Sequence, residues 1–174
     1  FQVNHLAPFL LTQLLMPQLT ASNAKVIQTA SDAANTWGGD FSVDDLNNER
    51  AYKPERAYGN GKLANVLFTR ELDRRHRSDG ISAVAFHPGV VRSNFASETN
   101  HLMRFFYGSP LKYLGTISPE RSSERLDWLV NGTPGTDWEP GGFYGNCKPL
   151  KLKFEDDGTV ARELWDRSEQ LLAG

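Results

Sequence analysis

The chain has 174 residues and a formal net charge of −2, with 39% hydrophobic and 23% charged residues. This length and composition are typical of one globular domain with a buried core. The mild acidity gives no basic surface for nucleic acid, and no apolar run reaches the roughly 20 residues of a membrane span. The single cysteine, Cys147, excludes an internal disulfide and a cysteine metal site. It favours a reducing compartment, so we expect a cytoplasmic location, and we predict no metal site.

The first half of the chain alternates helical and strand patterns. Apolar residues recur at helical spacing from about Asn4 to Leu19, and Lys25 to Thr29 has a short strand pattern. A long polar loop is predicted from Ser31 to Tyr52. Arg56 to His76 is predicted to be a helix, and its basic last turn suits the negative end of the helix dipole. Because Phe1 is not methionine and lies inside the first helical pattern, we expect a truncated N-terminus.

The second half adds two strands and two helices to this alternation. The predicted strands are Ile81 to Phe86 and Gly142 to Tyr144, and the predicted helices are Pro119 to about Val130, with Ser118 as N-cap, and Val160 to Leu172. The region from Ser93 to Thr116 is irregular and aromatic. The alternation of helix and strand predicts an α/β fold around a parallel sheet, formed as a single domain over residues 1–174.

Tyr58 and Lys62 are the residues that suggest chemistry. They lie four positions apart on a predicted helix and therefore share one face. A nearby ammonium stabilises a phenolate, which brings a phenol from its usual pKa of about 10 toward the range of a general base. Ser31, at the end of a predicted strand, could hold a substrate oxygen against that phenol. These groups could move a proton to or from a substrate oxygen during hydride transfer, although Tyr58 and Lys62 alone could also be an exposed pair without function.

Five stretches of the chain, in order, resemble the short-chain dehydrogenases/reductases, and most closely their retinol-dehydrogenase-like branch. They are Val3-Asn-His-Leu-Ala-Pro-Phe9, Val26-Ile-Gln-Thr-Ala-Ser31, Asp45-Leu-Asn47, Tyr58-Gly-Asn-Gly-Lys-Leu-Ala-Asn65 and His87-Pro-Gly-Val-Val-Arg-Ser93. The whole chain resembles the C-terminal two-thirds or so of such a protein. The resemblance implies a Rossmann-like doubly wound parallel sheet of which only the C-terminal part is present.

The resemblance also implies site residues. Tyr58 would be the general acid/base, Lys62 would stabilise its phenolate and bind the nicotinamide ribose hydroxyls, and Ser31 would hold the substrate oxygen. Asn4 would take part in a proton relay that reaches water through Lys62. The implied cofactor-binding residues are Tyr58, Lys62, Pro88, Gly89, Val91 and Ser93. A substrate lid would follow at about residues 94–116, and its apolar character favours a lipophilic substrate.

The chain departs from the family pattern at single positions and in one larger respect. Gly61 stands where serine is usual, Ala30 where a small polar residue is usual, and Ser93 where threonine is commoner. The 174 residues contain no glycine-rich dinucleotide loop, which would hold a pyrophosphate at a helix N-terminus. The element that selects NAD or NADP is also absent.

Two functions remain open at this stage. The first is an NAD- or NADP-dependent oxidoreductase that interconverts a small-molecule carbonyl and an alcohol. The second is a truncated, non-catalytic fragment or interaction protein that cannot bind the dinucleotide alone. The family also implies a homodimer in which the helices carrying Asn4 and Tyr58 pair across a two-fold axis, and we expect Leu10, Leu14, Val66 and Phe68 to supply the apolar contact.

Overall fold

The computed structural model describes residues 1–91, 116–156 and 158–174. Within these ranges four strands form one sheet in the order β1-β2-β3-β4. Their bounds are β1 Lys25–Thr29, β2 Ser82–His87, β3 Phe143–Gly145 and β4 Lys148–Pro149. The first three strands are parallel, and β4 is antiparallel to β3. A mostly parallel sheet with connecting helices confirms the predicted fold class, and the two-residue strand β4 was not predicted.

Five α-helices are described, and four of them match the predicted helices closely. Their bounds are α1 Ala7–Ala21, α2 Ala33–Trp37, α3 Pro54–His76, α4 Pro119–Asn131 and α5 Thr159–Ala173. A π-helical turn at Gln2–Leu6 precedes α1, and 3₁₀ turns lie at Val43–Asp45 and Glu49–Ala51. Helix α2 and the 3₁₀ turns occupy the region predicted to be a loop. Ser118 caps α4 as predicted, since its side chain accepts a hydrogen bond from the Arg121 amide.

The central strand β2 is buried on both faces. Ala83 and Ala85 pack among residues of α3 and α5, whereas Val84 and Phe86 pack with α4 and Tyr144. Helices therefore cover both sides of the sheet, as expected for a doubly wound fold. The strand β1 pairs with β2 and forms one edge of the described sheet, and β4 forms the other. No described helix is both long enough and apolar enough to cross a lipid bilayer.

Helix α5 packs across α3 and the start of α1 through aromatic rings. Trp165 stacks on Phe68 with a centroid distance of 5.8 Å and meets Phe9 edge-on at 4.9 Å. Val66 and Phe68, which were expected to face a second subunit, are 0% and 2% exposed. That part of the predicted dimer contact is wrong, because their own chain covers them. Leu10 and Leu14, on α1, remain 39% and 67% exposed.

A buried carboxylate fixes the C-terminal part of α3. Glu71 is 1% exposed, and its carboxylate accepts hydrogen bonds from Arg74 at 2.7 and 2.8 Å and from Arg75 at 2.6 Å. Arg75 also pairs with Asp166 of α5 at 3.0 Å and lies over the Trp165 ring. Burial raises the pKa of Glu71, but the hydrogen bonds and charges of the two arginines outweigh this and bring it below 4.5. The carboxylate is therefore stabilised as an ion.

We expect Glu71→Gln to lower the free energy of unfolding by about 1–2 kcal/mol at pH 7, because a charge-assisted network is lost. A pKa lowered by folding gives a contribution that is complete above the unfolded value of 4.5 and is lost as the pH falls through the folded value. The difference between the two proteins should therefore shrink below pH 4.5. Urea denaturation at pH 7 and below pH 4.5 measures this difference in stability, and Glu163→Gln, at an exposed position on α5, is the control. Equal stability of Glu71→Gln and wild type at pH 7 would contradict the assignment.

Candidate active site

The parallel strands bring two of the predicted site segments to one edge of the sheet. Thr29 is paired with Phe86 in the register of β1 and β2, and the Ala30 amide donates to the Phe86 carbonyl at 2.9 Å. Ser31 and Pro88 follow directly, each two residues beyond this pair. They therefore lie beyond the carboxyl ends of neighbouring strands, where open α/β sheets bind their ligands.

Helix α3 is attached to the same edge by two side chains. The Lys62 Nζ donates to the Thr29 carbonyl at 3.3 Å, and the Asn65 Nδ2 donates to the same oxygen at 3.3 Å. The Lys62 Nζ also lies 5.7 Å from the centroid of the Tyr58 ring. The structure thus brings Tyr58, Lys62 and the residues before Ser31 together. Asn65 was missed as a site residue, although it is three residues after Lys62 and so shares its side of the helix.

The ammonium of Lys62 is half-buried, and this burial lowers its pKa from the usual 10.5. No carboxylate in the described part of the chain forms an ion pair with it. Its one hydrogen-bond acceptor among these residues is the neutral Thr29 carbonyl. An ammonium has three donors, so two have no acceptor among the described residues and would suit hydroxyl groups of a ligand.

Asn4 is held against the helix that carries Tyr58. It lies in the π-helical turn, which is closed by a hydrogen bond from the Ala7 amide to the Gln2 carbonyl. A Cβ atom at Gly61 would lie 3.2 Å from the Asn4 Cβ. Glycine in place of the family's usual serine therefore leaves room for Asn4 beside α3. This contact is tight, since most real Cβ atoms keep a larger distance.

Ser31 is positioned by the start of α2. Its Oγ accepts a hydrogen bond from the Ala33 amide at 3.2 Å. Ala33 and Ala34 are buried under this turn, and Ala34 packs with Leu63 of α3. A serine hydroxyl has one hydrogen as well as acceptor lone pairs. With the oxygen accepting from the backbone, the hydrogen can be donated to a substrate oxygen.

A pair of buried asparagines fixes the loop that enters α3, and sequence reasoning missed both. The Asn60 Nδ2 donates to the Asn48 Oδ1 at 2.5 Å. Asn48 has φ 58°, a left-handed conformation that asparagine adopts more readily than most residues. Asn60 lies between Tyr58 and Lys62, so the pair joins the loop to the turn that carries the site. The one available signal was the Asn47-Asn48 pair in a polar loop, a common turn sequence.

The segment after β2 turns sharply at the same edge. Gly89 has φ 96°, and a Cβ atom there would lie 2.5 Å from the Ile117 side chain. Val91 pairs with Ile117 in an isolated bridge. Burial lowers the pKa of the preceding His87, and Asp32 acts in the opposite direction. Ser93 and residues 94–115 of the expected lid lie outside the described residues.

The described residues fit one end of a nicotinamide dinucleotide. The spare donors of Lys62 suit the hydroxyls of the ribose next to the nicotinamide, and the Pro88–Val91 turn lies at the same sheet edge. A pyrophosphate needs backbone amides at a glycine-rich turn. The 174 residues contain no such turn. The chain therefore has groups for the reacting end of the dinucleotide and lacks the usual element for its phosphates.

The chain is similar in sequence to several known proteins. No protein-family model matches the chain. Retinol dehydrogenase 14 from Homo sapiens is 36% identical over 177 residues, which cover 99% of this chain and 51% of the relative. Retinol dehydrogenase 12 from Homo sapiens is 45% identical over 175 residues, which cover 98% of this chain and 52% of the relative.

Solved structures show the same fold. A crystal structure of an uncharacterized protein from Mycobacterium paratuberculosis matches with a TM-score of 0.62 and 31% identity, over 98% of this chain and 57% of that one. An NADPH-bound carbonyl reductase from chicken fatty liver matches with a TM-score of 0.56 and 22% identity, over 82% and 51% of the two chains. The chain spans about half the length of the curated relatives it matches. Over this shared half, the chain is similar in sequence to retinol dehydrogenases and shares its fold with the reductase structure.

Proposed function

We propose that these residues form the catalytic half of an NAD(P)-dependent oxidoreductase that interconverts a carbonyl and an alcohol, with a lipophilic small molecule as substrate. The observation that carries the proposal is the attachment of Lys62 to the Thr29 carbonyl. This contact brings an ammonium with two spare donors to the strand end that carries Ser31. Tyr58 lies one turn earlier on the same helix. The names of the relatives, retinol dehydrogenases and carbonyl reductase, support the same reaction class.

The proposed chemistry gives each group a defined role. A nicotinamide dinucleotide, when bound, would supply the hydride for carbonyl reduction and accept it in the reverse direction. The Ser31 hydroxyl donates a hydrogen bond to the substrate oxygen and fixes its position. Tyr58 transfers its phenolic proton to that oxygen as the alcohol forms. Lys62 stabilises the resulting phenolate by its charge and holds the ribose hydroxyls.

Asn4 and the turn after β2 complete the proposed site. Asn4 would join the proton relay through which Tyr58 regains a proton from water by way of Lys62. Pro88, Gly89, Val91 and Ser93 would lie along the nicotinamide carboxamide. Residues 94–116 would form the substrate lid, and their apolar side chains are the reason for proposing a lipophilic substrate. The proposed location is the cytoplasm, because the single cysteine favours a reducing compartment. Cell fractionation that finds the protein in an oxidising compartment would contradict this location.

Tyr58→Phe tests the central assignment, because it removes only the hydroxyl. Loss of general acid/base catalysis typically costs about 10²–10⁴-fold in rate, so kcat should fall by at least about 100-fold. Steady-state kinetics of the whole gene product, with a panel of apolar aldehydes and NADH or NADPH, measures this. Tyr52→Phe is the matched control, since Tyr52 is 65% exposed and precedes α3. A Tyr58→Phe enzyme that keeps more than about a third of wild-type kcat would overturn the role of Tyr58.

Lys62→Met tests the ribose contact separately from the fold. The half-buried ammonium has a lowered pKa, which shows that its site disfavours the charge. We therefore expect the melting temperature of the variant to stay close to wild type. Because the donors to the ribose hydroxyls are lost, we expect it to bind the dinucleotide more weakly. Lys62→Arg keeps the charge but changes the donor geometry, and its affinity should be intermediate. Unchanged dinucleotide affinity in both variants would show that Lys62 does not hold the cofactor.

The second candidate function is a segment that cannot bind the dinucleotide alone. The observations that favour it are the missing glycine-rich turn and the open edge of β1. We expect a polypeptide of these 174 residues to bind NADH or NADPH weakly or not at all. A loss of about 4 kcal/mol of phosphate and adenine contacts would weaken binding roughly a thousandfold. Calorimetry measures this, and micromolar affinity together with a cooperative melt would refute the second candidate.

We also propose a homodimer, now with α1 as its contact. Leu10 and Leu14 remain exposed, and the helix carries no charged side chain. A two-fold contact places the same patch against itself, so an uncharged apolar face meets no like-charge repulsion there. Leu14→Glu should therefore convert the dimer to a monomer in light scattering. A wild-type monomer at micromolar concentration would contradict the dimer.

A further inference from the structure

His5 is a buried histidine that the proposed mechanism leaves without a task. It is 1% exposed, and its ring lies among aromatic rings at centroid distances of 4.9 Å to Phe1, 5.9 Å to Phe9 and 6.0 Å to Phe68. The His5 Nε2 lies 2.9 Å from the Ser168 Oγ of α5, although the two residues are 163 positions apart. Ser168 is 0% exposed. This hydrogen bond therefore joins the N-terminal π-helical turn to the C-terminal helix.

The direction of this hydrogen bond follows from the other partner of Ser168. The Ser168 Oγ lies 2.7 Å from the Leu164 carbonyl, which can only accept. The single hydroxyl hydrogen is therefore directed at Leu164, and His5 must donate through Nε2–H. Burial is the main cause that lowers the pKa of His5 to about 3, so the ring is neutral at physiological pH. In this tautomer Nδ1 is unprotonated, and it has no hydrogen-bond partner among the described residues.

The same turn carries Asn4. Asn4 directly precedes His5, and its side chain is packed against Gly61 of α3. The turn is π-helical, and it is bounded by hydrogen bonds from the His5 amide to the Phe1 carbonyl and from the Ala7 amide to the Gln2 carbonyl. A π-turn is less favourable than regular helix and is usually retained for a local purpose. A buried side-chain bond at its centre is suited to hold it in that form.

We propose that Ser168 is a positioning residue, because its hydrogen bond to His5 lets helix α5 fix the π-helical turn that presents Asn4 to the catalytic helix. The inference rests on the proposed function, in which Asn4 relays protons. It gives the C-terminal helix a part in catalysis although α5 carries none of the proposed catalytic residues. Aromatic packing attaches α5 to α3, while the His5–Ser168 bond controls the shape of the turn.

Two variants remove the bond from opposite sides. His5→Phe keeps a ring within the aromatic cluster and removes the donor, and Ser168→Ala removes the acceptor. In the whole gene product we expect kcat to fall by about ten- to a hundredfold, the range produced by small misplacement of catalytic groups. KM for the dinucleotide should change by less than about twofold, since ground-state binding is not altered. The backbone amides of Leu6 and Ala7 should exchange with solvent faster than in wild type.

Two further variants separate positioning from stability. His5→Gln places an amide N–H near the former Nε2 position and should recover much of the lost kcat. Trp165→Phe weakens the packing of α5 without touching the hydrogen bond, and it should lower the melting temperature while leaving kcat and the exchange of Leu6 unchanged. If His5→Phe and Ser168→Ala lose kcat only as much as Trp165→Phe does, the bond is merely structural and the proposal fails.

Measurements that need no activity test the His5–Ser168 bond separately from the proposed function. The ¹⁵N chemical shifts of the wild-type His5 ring report which nitrogen carries the proton, and an Nδ1–H tautomer would overturn the proposal even if no variant folds. Unchanged exchange of Leu6 and Ala7 in His5→Phe would overturn it as well. A wild-type protein that reduces no carbonyl would refute the proposed function, whereas faster exchange in the variants would still establish that α5 holds the turn.

Discussion

The carbonyl of Thr29 accepts hydrogen bonds from both Lys62 and Asn65, and this shared acceptor sets the relation between the sheet and its longest helix. Because both donors come from one face of α3, the helix has little freedom to rotate about its axis or slide along the sheet. Tyr58, one turn before Lys62, is thereby fixed relative to Ser31, two residues after Thr29. Asn4 depends on the same constraint, since Gly61 can receive it only in this orientation of α3.

The two halves of α3 each carry a buried or half-buried charge, and only one of these charges has an oppositely charged partner among the described residues. At the C-terminal end, the Glu71 carboxylate is buried and is compensated by two arginines, so that its ionised form is favoured. Near the N-terminal end, the Lys62 ammonium is half-buried beside a neutral carbonyl, and its pKa is lowered. A compensated charge stabilises the packing of α3 on α5. The uncompensated charge of Lys62 has a cost in stability, and in the proposed function it would be offset by a bound ligand.

Sequence patterns predicted what is local in this fold. The strand at Lys25–Thr29, the Ser118 cap and the long helix α3 follow from periodicity and capping, which depend on neighbouring residues. The Asn48–Asn60 pair and the Thr29 contacts of Asn65 could not be predicted, because each joins residues that only the tertiary fold brings together. The π-helical turn differs from regular helix in spacing its hydrogen bonds five residues apart, and this leaves no periodic signal.

The failed prediction about Val66 and Phe68 has the same cause. Helix α3 is apolar on more than one side, and periodicity alone does not say what covers each side. The covering element, α5, lies about 90 residues further along the chain. Contacts over such separations depend on the path of the whole chain, so an apolar face that suits a second subunit equally suits a distant helix of the same chain.

Lys25 begins the edge strand β1, a position where lysine commonly discourages unwanted strand pairing. Here its Nζ donates to the carbonyls of Val130 and Gly132, each at 2.7 Å, and so closes the C-terminal end of α4. The ammonium is thus directed toward a helix end on one face of the sheet. Within the described sheet, no strand pairs with the outer edge of Val26 and Ile27, and the Lys25 charge is engaged by α4. Lys25→Gln should therefore weaken the attachment of the C-terminal end of α4 and leave strand pairing at the edge of β1 unchanged. The lysine then acts as a helix cap and does not protect the strand edge.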